Sequence, residues 1–448
     1  SISPASNAAT PVGVTSDFDI ATRNTSYPDI GADEIVDSGT LPAGTYGTRA
    51  INAGSGSSAA VAFAPGSRRD ISKVGMAKAM RIKGLSGARR TGAGELFFAA
   101  PGRRDGHDFV ADAAARGAAG AVVARPAAVH DPRFGLVRVG DTVAALQALA
   151  REVLARQSPV VVGVTGSVGK TTTKEFTAAL LATRFRVHKS EGNFNNHLGL
   201  ALSLLRLEPG FDAAVLEMGM SAAGEIRALT RIAPPDLAVI TNVSPVHLEF
   251  FDGLEAIALA KKEILDGAKP GATAVLNADD PLVLRIAADF PGPKVTFGLG
   301  PGADVRAESV ERAGYDGLRF VLRCRTGSTR ITLPFLNEAA VVNLLAAAAV
   351  SLALGLRLDE IAPAAAALRP GPGRGLVVEA SGGVRVYDDS YNSNPRALEA
   401  VLNGLAALPA ARKVAVLGDM LELGEAGREL HRRAGETAAR TGWDVLVA

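Results

Sequence analysis

Apolar residues fall into two alternating patterns from about residue 94 onward. Short runs rich in Val, Ala and Leu, bounded by glycine, proline or acidic residues, have the length of buried strands; longer segments between them read as helices. Gly94–Ala100 reads as a strand, a helix opens at Asp105 and runs through Arg116, Ala118–Ala124 is a second strand and Thr142–Arg156 a second helix. This small α/β unit ends near Ser158-Pro159. A β-branched run opens at Val160, and strands follow at Ala213–Glu217, Leu237–Thr241, Ala272–Leu276 and Lys294–Phe297. Strands that alternate with helices predict a mostly parallel sheet. Alternation weakens over residues 303–333, which suggests antiparallel strands, and an Ala- and Leu-rich helix follows over Ala339–Leu354. Pro370-Gly-Pro-Gly-Arg-Gly375 reads as a hinge. Beyond it, strands at Val384–Tyr387 and Lys413–Leu417 flank a further helix. Residues 370–448 are few for a doubly wound domain, so this region reads as truncated, and both chain ends read as cut.

Residues 1–80 have a different texture. Gly, Ser, Ala, Thr and Asn dominate, no helical or alternating period persists, and so little apolar surface does not offset the entropy of ordering the chain. A disordered or foreign segment is the expectation there. Composition narrows the remaining classes. The 448 residues suffice for several cores, and with 47% hydrophobic but 5% aromatic residues those cores are built from Ala, Val and Leu. A net charge of +2 offers no field for nucleic acid or acidic membranes. Cys324, the single cysteine, excludes an internal disulfide framework and fits a reducing cytoplasm. No apolar run has the length of a membrane span, and no secretory signal opens the chain.

Candidate chemistry begins at Val160-Val-Val-Gly-Val-Thr-Gly-Ser-Val-Gly-Lys-Thr-Thr-Thr-Lys174, a strand that breaks into a glycine-punctuated loop and then into a helix expected over Thr171–Thr183. Gly166 and Gly169 let the backbone approach an anion, Lys170 suits the outer phosphates of a nucleotide, and the Thr171 hydroxyl suits Mg²⁺. The usual spacing places a glycine at residue 164, but Val164 stands there and the upstream glycine is Gly163, so the loop is a variant. Glu217 and Asn242 fall at or just past strand ends, on the crevice edge of an open parallel sheet. Glu217 suits a magnesium ion or simply faces water. His247, in a loop past a strand, reads equally as solvated or functional. Lys261 and Lys262 are adjacent on a helix and by themselves read as a solvated face. Asn193, Asn195 and Asn196 form an amide cluster that suits a polar ligand or an Asn-rich turn. Asp388-Asp-Ser-Tyr-Asn-Ser-Asn-Pro395 directs Asp389, Asn392 and Asn394 toward a crevice, with one of its polar residues explained as a helix N-cap.

Taken in order, several of these stretches resemble the Mur ligases. They are Thr165-Gly-Ser-Val-Gly-Lys-Thr-Thr-Thr-Lys-Glu175, Gly192-Asn-Phe-Asn-Asn-His-Leu-Gly199, Val215-Leu-Glu-Met-Gly219, His247-Leu-Glu249 and Ala260-Lys-Lys-Glu-Ile264. Asn277-Ala-Asp-Asp280, the Asp388–Pro395 motif and Gly418-Asp-Met-Leu-Glu-Leu-Gly424 continue the series, and the last two resemble the branch that adds D-alanyl-D-alanine. The resemblance implies an α/β, three-domain architecture: a small, incomplete N-terminal domain over 81–158 for the UDP-linked substrate, a central ATP-binding P-loop domain over 159–369, and a partial Rossmann-like domain over 370–448.

It also implies an activity and a site. The activity is ATP-dependent joining of D-alanyl-D-alanine to UDP-N-acetylmuramoyl-tripeptide in peptidoglycan precursor synthesis, by a cytoplasmic, monomeric bacterial enzyme. Gly166, Ser167, Val168, Gly169, Lys170, Thr171 and Thr172 would hold the ATP phosphates. Thr171, Glu217, His247 and a carbamylated Lys261 would bind two Mg²⁺ ions, with Lys262 as the alternative lysine. Arg374 and Asp389 match contacts to phosphate and ribose, Asn343 one near adenine, and Arg89, Asn193, Asn195, Asn196, Asn392 and Asn394 are assigned to substrate. Gly87-Ala-Arg89 replaces a more polar Asp-Ser-Arg, and Ala339-Ala340 replaces His-Asn. Another amide ligase of the superfamily, adding a single amino acid or extending folate with glutamate, and a non-catalytic nucleotide-binding remnant are the alternative readings.

Overall fold

The computed structural model describes residues 94–448 apart from 103, 132 and 246–250, together with the backbone of two strands, β1 (Gly47–Ala53) and β2 (Ser57–Phe63). These two form an antiparallel hairpin, and β2 pairs with β5 (Gly135–Arg138) of a sheet that also contains β3 (Leu96–Phe98) and β4 (Gly120–Val123). The order is β1-β2-β5-β4-β3. Both strands lie inside the stretch that the sequence reads as unassigned, and they give residues 47–53 and 57–63 a regular backbone. Ala, Ser and Gly give almost no apolar–polar contrast, so a period of two is invisible there, whereas backbone pairing needs only N–H and C=O groups. On this sheet lie a short helix, α1 (Val110–Ala115), and α2 (Thr142–Gln157), whose N-cap Asp141 accepts from the amides of Val143 and Ala144.

The central sheet has nine strands. In chain order its elements are β6 (Val160–Thr165), α3 (Lys170–Leu181), β7 (Val187–Lys189), α4 (His197–Leu204), β8 (Ala213–Glu217), α5 (Glu225–Ile232) and β9 (Leu237–Ile240). They continue with α6 (Gly253–Asp266), β10 (Thr273–Asn277), α7 (Pro281–Ile286), β11 (Lys294–Gly298), β12 (Val305–Arg312), β13 (Leu318–Cys324) and β14 (Gly327–Leu333). The spatial order is β14-β13-β12-β11-β10-β9-β6-β8-β7. Pairing is parallel from β7 through β12 and antiparallel over β12, β13 and β14, as the weaker alternation after residue 303 predicts. Strands of three or four residues, such as β7 and β5, carry too short a pattern to stand out in the sequence.

Successive residues of a strand point to opposite faces, and this splits the core in two. Val162, Val164, Val215 and Val239 pack with Phe176, Leu180 and Leu181 of α3, and with α8 (Ala339–Ala353) and α9 (Leu358–Ala367). Val161, Ala214, Leu216 and Ile240 pack on the other face with α4, α5, α6 and α7 and with Leu146, Ala150 and Leu154 of α2. The first helical unit is therefore joined to the central sheet through a common core.

The last region contains β15 (Leu376–Glu379) paired antiparallel with β16 (Arg385–Asp388), then α10 (Pro395–Ala406), β17 (Val414–Val416), α11 (Gly427–Arg440) and β18 (Val445–Val447), with β17 and β18 parallel. Leu402, Ala415 and Ala438 form its small buried cluster.

The N-terminal turns of α3 are held in place by α8. Leu344 of α8 is fully buried in the cluster that includes Phe176 and Leu180. Truncating Leu344 to Ala should cost about 2–5 kcal/mol, the usual range for removing a buried leucine side chain. A urea melt followed by tryptophan-independent far-UV circular dichroism should show the transition of the central unit at lower denaturant, with its slope unchanged.

Candidate active site

The carboxyl-terminal edge of the parallel strands carries the polar side chains. Thr165 ends β6, Glu217 ends β8, Thr241 and Asn242 follow β9, and Asn277 ends β10. Gly166 (φ 148°) and Gly169 (φ 85°) turn the chain from β6 into α3. A Cβ on Gly166 would lie 1.8 Å from Thr241 Oγ1, and one on Gly169 would lie 2.3 Å from Asn343 Oδ1, so no side chain fits at either position. Gly163 has another task. It sits inside β6, and a Cβ there would meet Pro235 Cγ at 2.9 Å and Ile264 Cδ1 at 3.2 Å. The irregular glycine spacing thus reflects close approach of α6 to the strand, not the phosphate loop.

Not every loop residue faces the cleft with its amide. Ser167 N donates to Asn242 O at 2.9 Å and Val168 N to Asn242 Oδ1 at 3.0 Å, while Asn242 Nδ2 and Thr241 Oγ1 both donate to Val168 O. Ser167 Oγ is also engaged, with Ser244 O and N. The amides of Gly169, Lys170, Thr171 and Thr172 have no hydrogen-bond partner among the described residues and open the N-terminus of α3, where the helix dipole favours an anion. Asn242, absent from the sequence-derived site set, is thus the scaffold of the loop; its position just past a strand end was its one signal.

Lys170 folds back to donate to Gly166 O (2.9 Å) and Ser167 O (3.1 Å). Burial pushes its ammonium below the usual lysine range; Glu217 opposes that shift, Arg374 adds to it and Glu422 opposes it. Arg374 and Glu422, both from the last region, therefore lie within electrostatic reach of the phosphate loop. Arg374 also stacks 4.0 Å above the Tyr391 ring.

Glu217 is 1% exposed. Its Oε2 accepts from Thr171 Oγ1 at 2.7 Å and its Oε1 from Asn195 Nδ2 at 2.9 Å. Both donors are neutral, so they satisfy the carboxylate without cancelling its charge. Two hard oxygens side by side with residual negative charge suit Mg²⁺. Among the described residues no group of three or more His, Cys, Asp or Glu side chains converges on one point, so a metal here relies on a mixed oxygen set. His247 lies outside the described residues, as does Arg89.

The two adjacent lysines separate cleanly. Lys262 pairs with Asp266 (2.6 Å) and Asp289 (3.3 Å), and its hydrogen bond to Asp266 holds its ammonium above the usual range. Lys261 is 1% exposed and makes no hydrogen bond to a described residue; burial, with repulsion from Lys170 added, drives it well below the usual lysine range. The solvated-face reading therefore holds for Lys262 and fails for Lys261, because one helical step of about 100° separates a lysine turned into the sheet from one turned toward solvent.

The amide cluster also divides. Asn195 reaches Glu217, Asn196 caps α4 by accepting from the amides of Leu198 (3.2 Å) and Gly199 (2.8 Å), and Asn193 lines the cleft. Asn394 caps α10 by accepting from Ala397 N at 3.0 Å, and Asn392 lines the cleft. Asn343 Oδ1 accepts from Thr173 Oγ1 at 3.3 Å beside the phosphate loop. Asp388 is taken up locally by Ser390 and by Gly373 N. Asp389 instead lines the same cleft as Lys170 and Glu217, half-buried, and burial raises its carboxyl to about 6, with Arg374 opposing and Asp388 adding to the shift.

Comparison with known proteins follows the same layout. The family model described as the Mur ligase middle domain matches residues 164–351, and that described as Mur ligase, glutamate ligase domain matches residues 373–448. The chain is 36% identical over 343 residues to the UDP-N-acetylmuramoyl-tripeptide–D-alanyl-D-alanine ligase of Bacillus subtilis, covering 76% of this chain and 74% of that one. The Escherichia coli ligase of the same name is 37% identical over 364 residues, covering 80% and 79%. The crystal structure of the MurF ligase of Thermotoga maritima in complex with ADP superposes with a TM-score of 0.73 at 33% identity, covering 83% of this chain and 88% of that one.

Asp389 gives a direct test of the cleft. With a native value near 6 against 3.8 for a free aspartate, the folded protein binds more protons than the unfolded chain between those values, so this group's contribution to stability is present below about pH 4 and lost as pH rises through 6. The carboxylate, the better acceptor for a ribose hydroxyl, forms over the same rise. ADP affinity measured by calorimetry should therefore rise through about pH 6 more steeply in the wild type than in Asp389→Asn, where only the titration of the ADP terminal phosphate remains.

Proposed function

The chain belongs to the Mur ligase family, and on that premise we infer that it uses ATP to join D-alanyl-D-alanine to UDP-N-acetylmuramoyl-tripeptide, in the cytoplasm. The observation that carries this reading is the Thr171–Glu217 pair, 2.7 Å apart, set beside the phosphate-loop lysine on one sheet edge. An oxygen of the tripeptide's terminal carboxylate attacks the γ-phosphorus of ATP, ADP leaves, and an acyl phosphate forms. The D-alanyl-D-alanine amine then attacks the acyl carbon, the tetrahedral adduct expels phosphate, and the nitrogen loses a proton to leave the amide.

This chain's residues supply position and charge for both steps. The amides of Gly169 to Thr172 receive phosphate oxygens, and Lys170 exchanges its two backbone carbonyls for the transferring phosphoryl group, whose developing charge it neutralises. Thr171 and Glu217, with His247 and Lys261 assigned by resemblance, would hold Mg²⁺, which would supply positive charge to offset the charge of the nucleotide phosphates. Lys261 suits that set only as an oxygen ligand. Burial favours its neutral amine, the form that adds CO₂ to give a carbamate, and a carbamate would replace an ammonium that repels both Lys170 and a metal. Asp389 and Arg374 come from the last region to the ribose and phosphates, which makes the nucleotide a bridge between the two parts of the cleft.

Phosphate release from ATP and the UDP-linked tripeptide should rise strongly when D-alanyl-D-alanine is added; equal rates with and without it would remove the ligase reading. Lys170→Ala should lower kcat by about 10²–10³, the range for loss of one charge-stabilising donor. Stripping dissolved CO₂ should depress the wild-type rate, and bicarbonate should restore it.

A further inference from the structure

Lys174 is 0% exposed and has no part in the chemistry above. Its three N–H donors are all used: Nζ donates to Ser190 O at 2.7 Å and to Gly192 O at 2.9 Å, and it lies 3.1 Å from Glu175 Oε1. Taking an ammonium out of water is costly, and an apolar side chain of the same length would fill the space more cheaply. What the ammonium holds is therefore informative. Residues 190–196 form a loop with no regular structure, and it turns at Gly192 (φ 49°).

That loop touches Glu217 twice. Ser190 Oγ accepts from Glu217 N at 3.1 Å, and Asn195 Nδ2 donates to Glu217 Oε1. Asn195 O in turn accepts from Gly219 N at 2.9 Å, and a Cβ on Gly219 would lie 2.8 Å from Asn195 Cγ, so the strand end and the loop are in closest contact. The second carboxylate oxygen of Glu217 belongs to Thr171, three residues before Lys174 and on the same face of α3. One helix face thus governs both oxygens, directly through Thr171 and at one remove through the loop.

We propose that Lys174 is a positioning residue for the metal-binding carboxylate: its buried ammonium clamps the 190–196 loop so that Asn195 and Ser190 hold Glu217 in line with Thr171. The proposal rests on the assignment of Glu217 to Mg²⁺ made above, and not on which amine the enzyme accepts. Groups that orient a metal ligand typically change metal affinity by 10–100-fold when removed.

The test is ATP binding to the full chain by calorimetry over a range of Mg²⁺ concentrations. Lys174→Met and Asn195→Ala should each raise the half-saturating Mg²⁺ concentration about tenfold, and in Lys174→Met metal-free ATP binding should be unchanged. If Lys174 acts through Asn195, the double variant should be no worse than Lys174→Met alone; multiplied effects would overturn the proposal. A lowered Tm with an unaltered Mg²⁺ dependence would reduce Lys174 to a structural role and overturn it equally. Should Lys174→Met not fold, Ser190→Ala removes one contact to Glu217 without stranding a charge. It must then shift the Mg²⁺ dependence in the same direction, and no shift would overturn the proposal. A wild type that shows this metal dependence yet releases no phosphate on adding D-alanyl-D-alanine would contradict the ligase reading and leave the positioning role standing; a wild type without any Mg²⁺ dependence would overturn the positioning role itself.

Discussion

Glu217 is a carboxylate at the end of a buried strand, and its surroundings satisfy it without neutralising it. A hydroxyl from Thr171 and an amide from Asn195 complete its hydrogen bonds, and both are uncharged. In a low-dielectric setting such a group retains most of its field, so it attracts a cation or the ammonium of Lys170. The requirement to hold one charge in this state explains why three separate segments meet at the strand end: the first turn of α3, the loop 190–196, and the backbone after β8. None of them can shift alone without leaving a buried polar group unpaired, which is costly.

The same economy governs the lysines. Lys174 and Lys261 are buried and Lys170 half-buried, and each is treated differently. Lys174 is satisfied completely by two carbonyls and a carboxylate. Lys170 rests on two carbonyls that a phosphate can replace. Lys261 makes no hydrogen bond to a described residue, and its depressed affinity for a proton follows from burial, with repulsion from Lys170 added. Its depth in the fold depends on Gly163, because a side chain on β6 would hold α6 away from the sheet.

The last region approaches this edge from the other side of the cleft. Arg374 and Glu422 are felt by Lys170, and Asp389 is pressed into partial burial. Tyr315, on the turn between β12 and β13, donates to Pro409 O at 2.9 Å and receives the Arg385 guanidinium on its ring at 4.3 Å, which fixes the two parts against each other. One cleft is therefore lined by both folding units, and the half-buried Asp389 lies in it beside Arg374.

The strand–helix alternation from Val160 to Ala353, the loop from Gly166 to Thr172 and the strand-end position of Glu217 were legible in the residues alone, because hydrophobic period and glycine placement are local properties. The strand pair over residues 47–53 and 57–63 was not, since Ala and Ser carry no pattern while their backbones still pair. Nor could local spacing choose between Lys261 and Lys262, or say that Asn196 and Asn394 cap helices while Asn195 reaches a carboxylate 22 positions along the chain. Those outcomes turn on which direction a side chain faces once α6 packs on β6 and the loop 190–196 folds over β8. Burial and partner choice are properties of the assembled sheet, so the sequence by itself determined which chemistry the edge could support, and only the tertiary structure decided which residue holds each place in it.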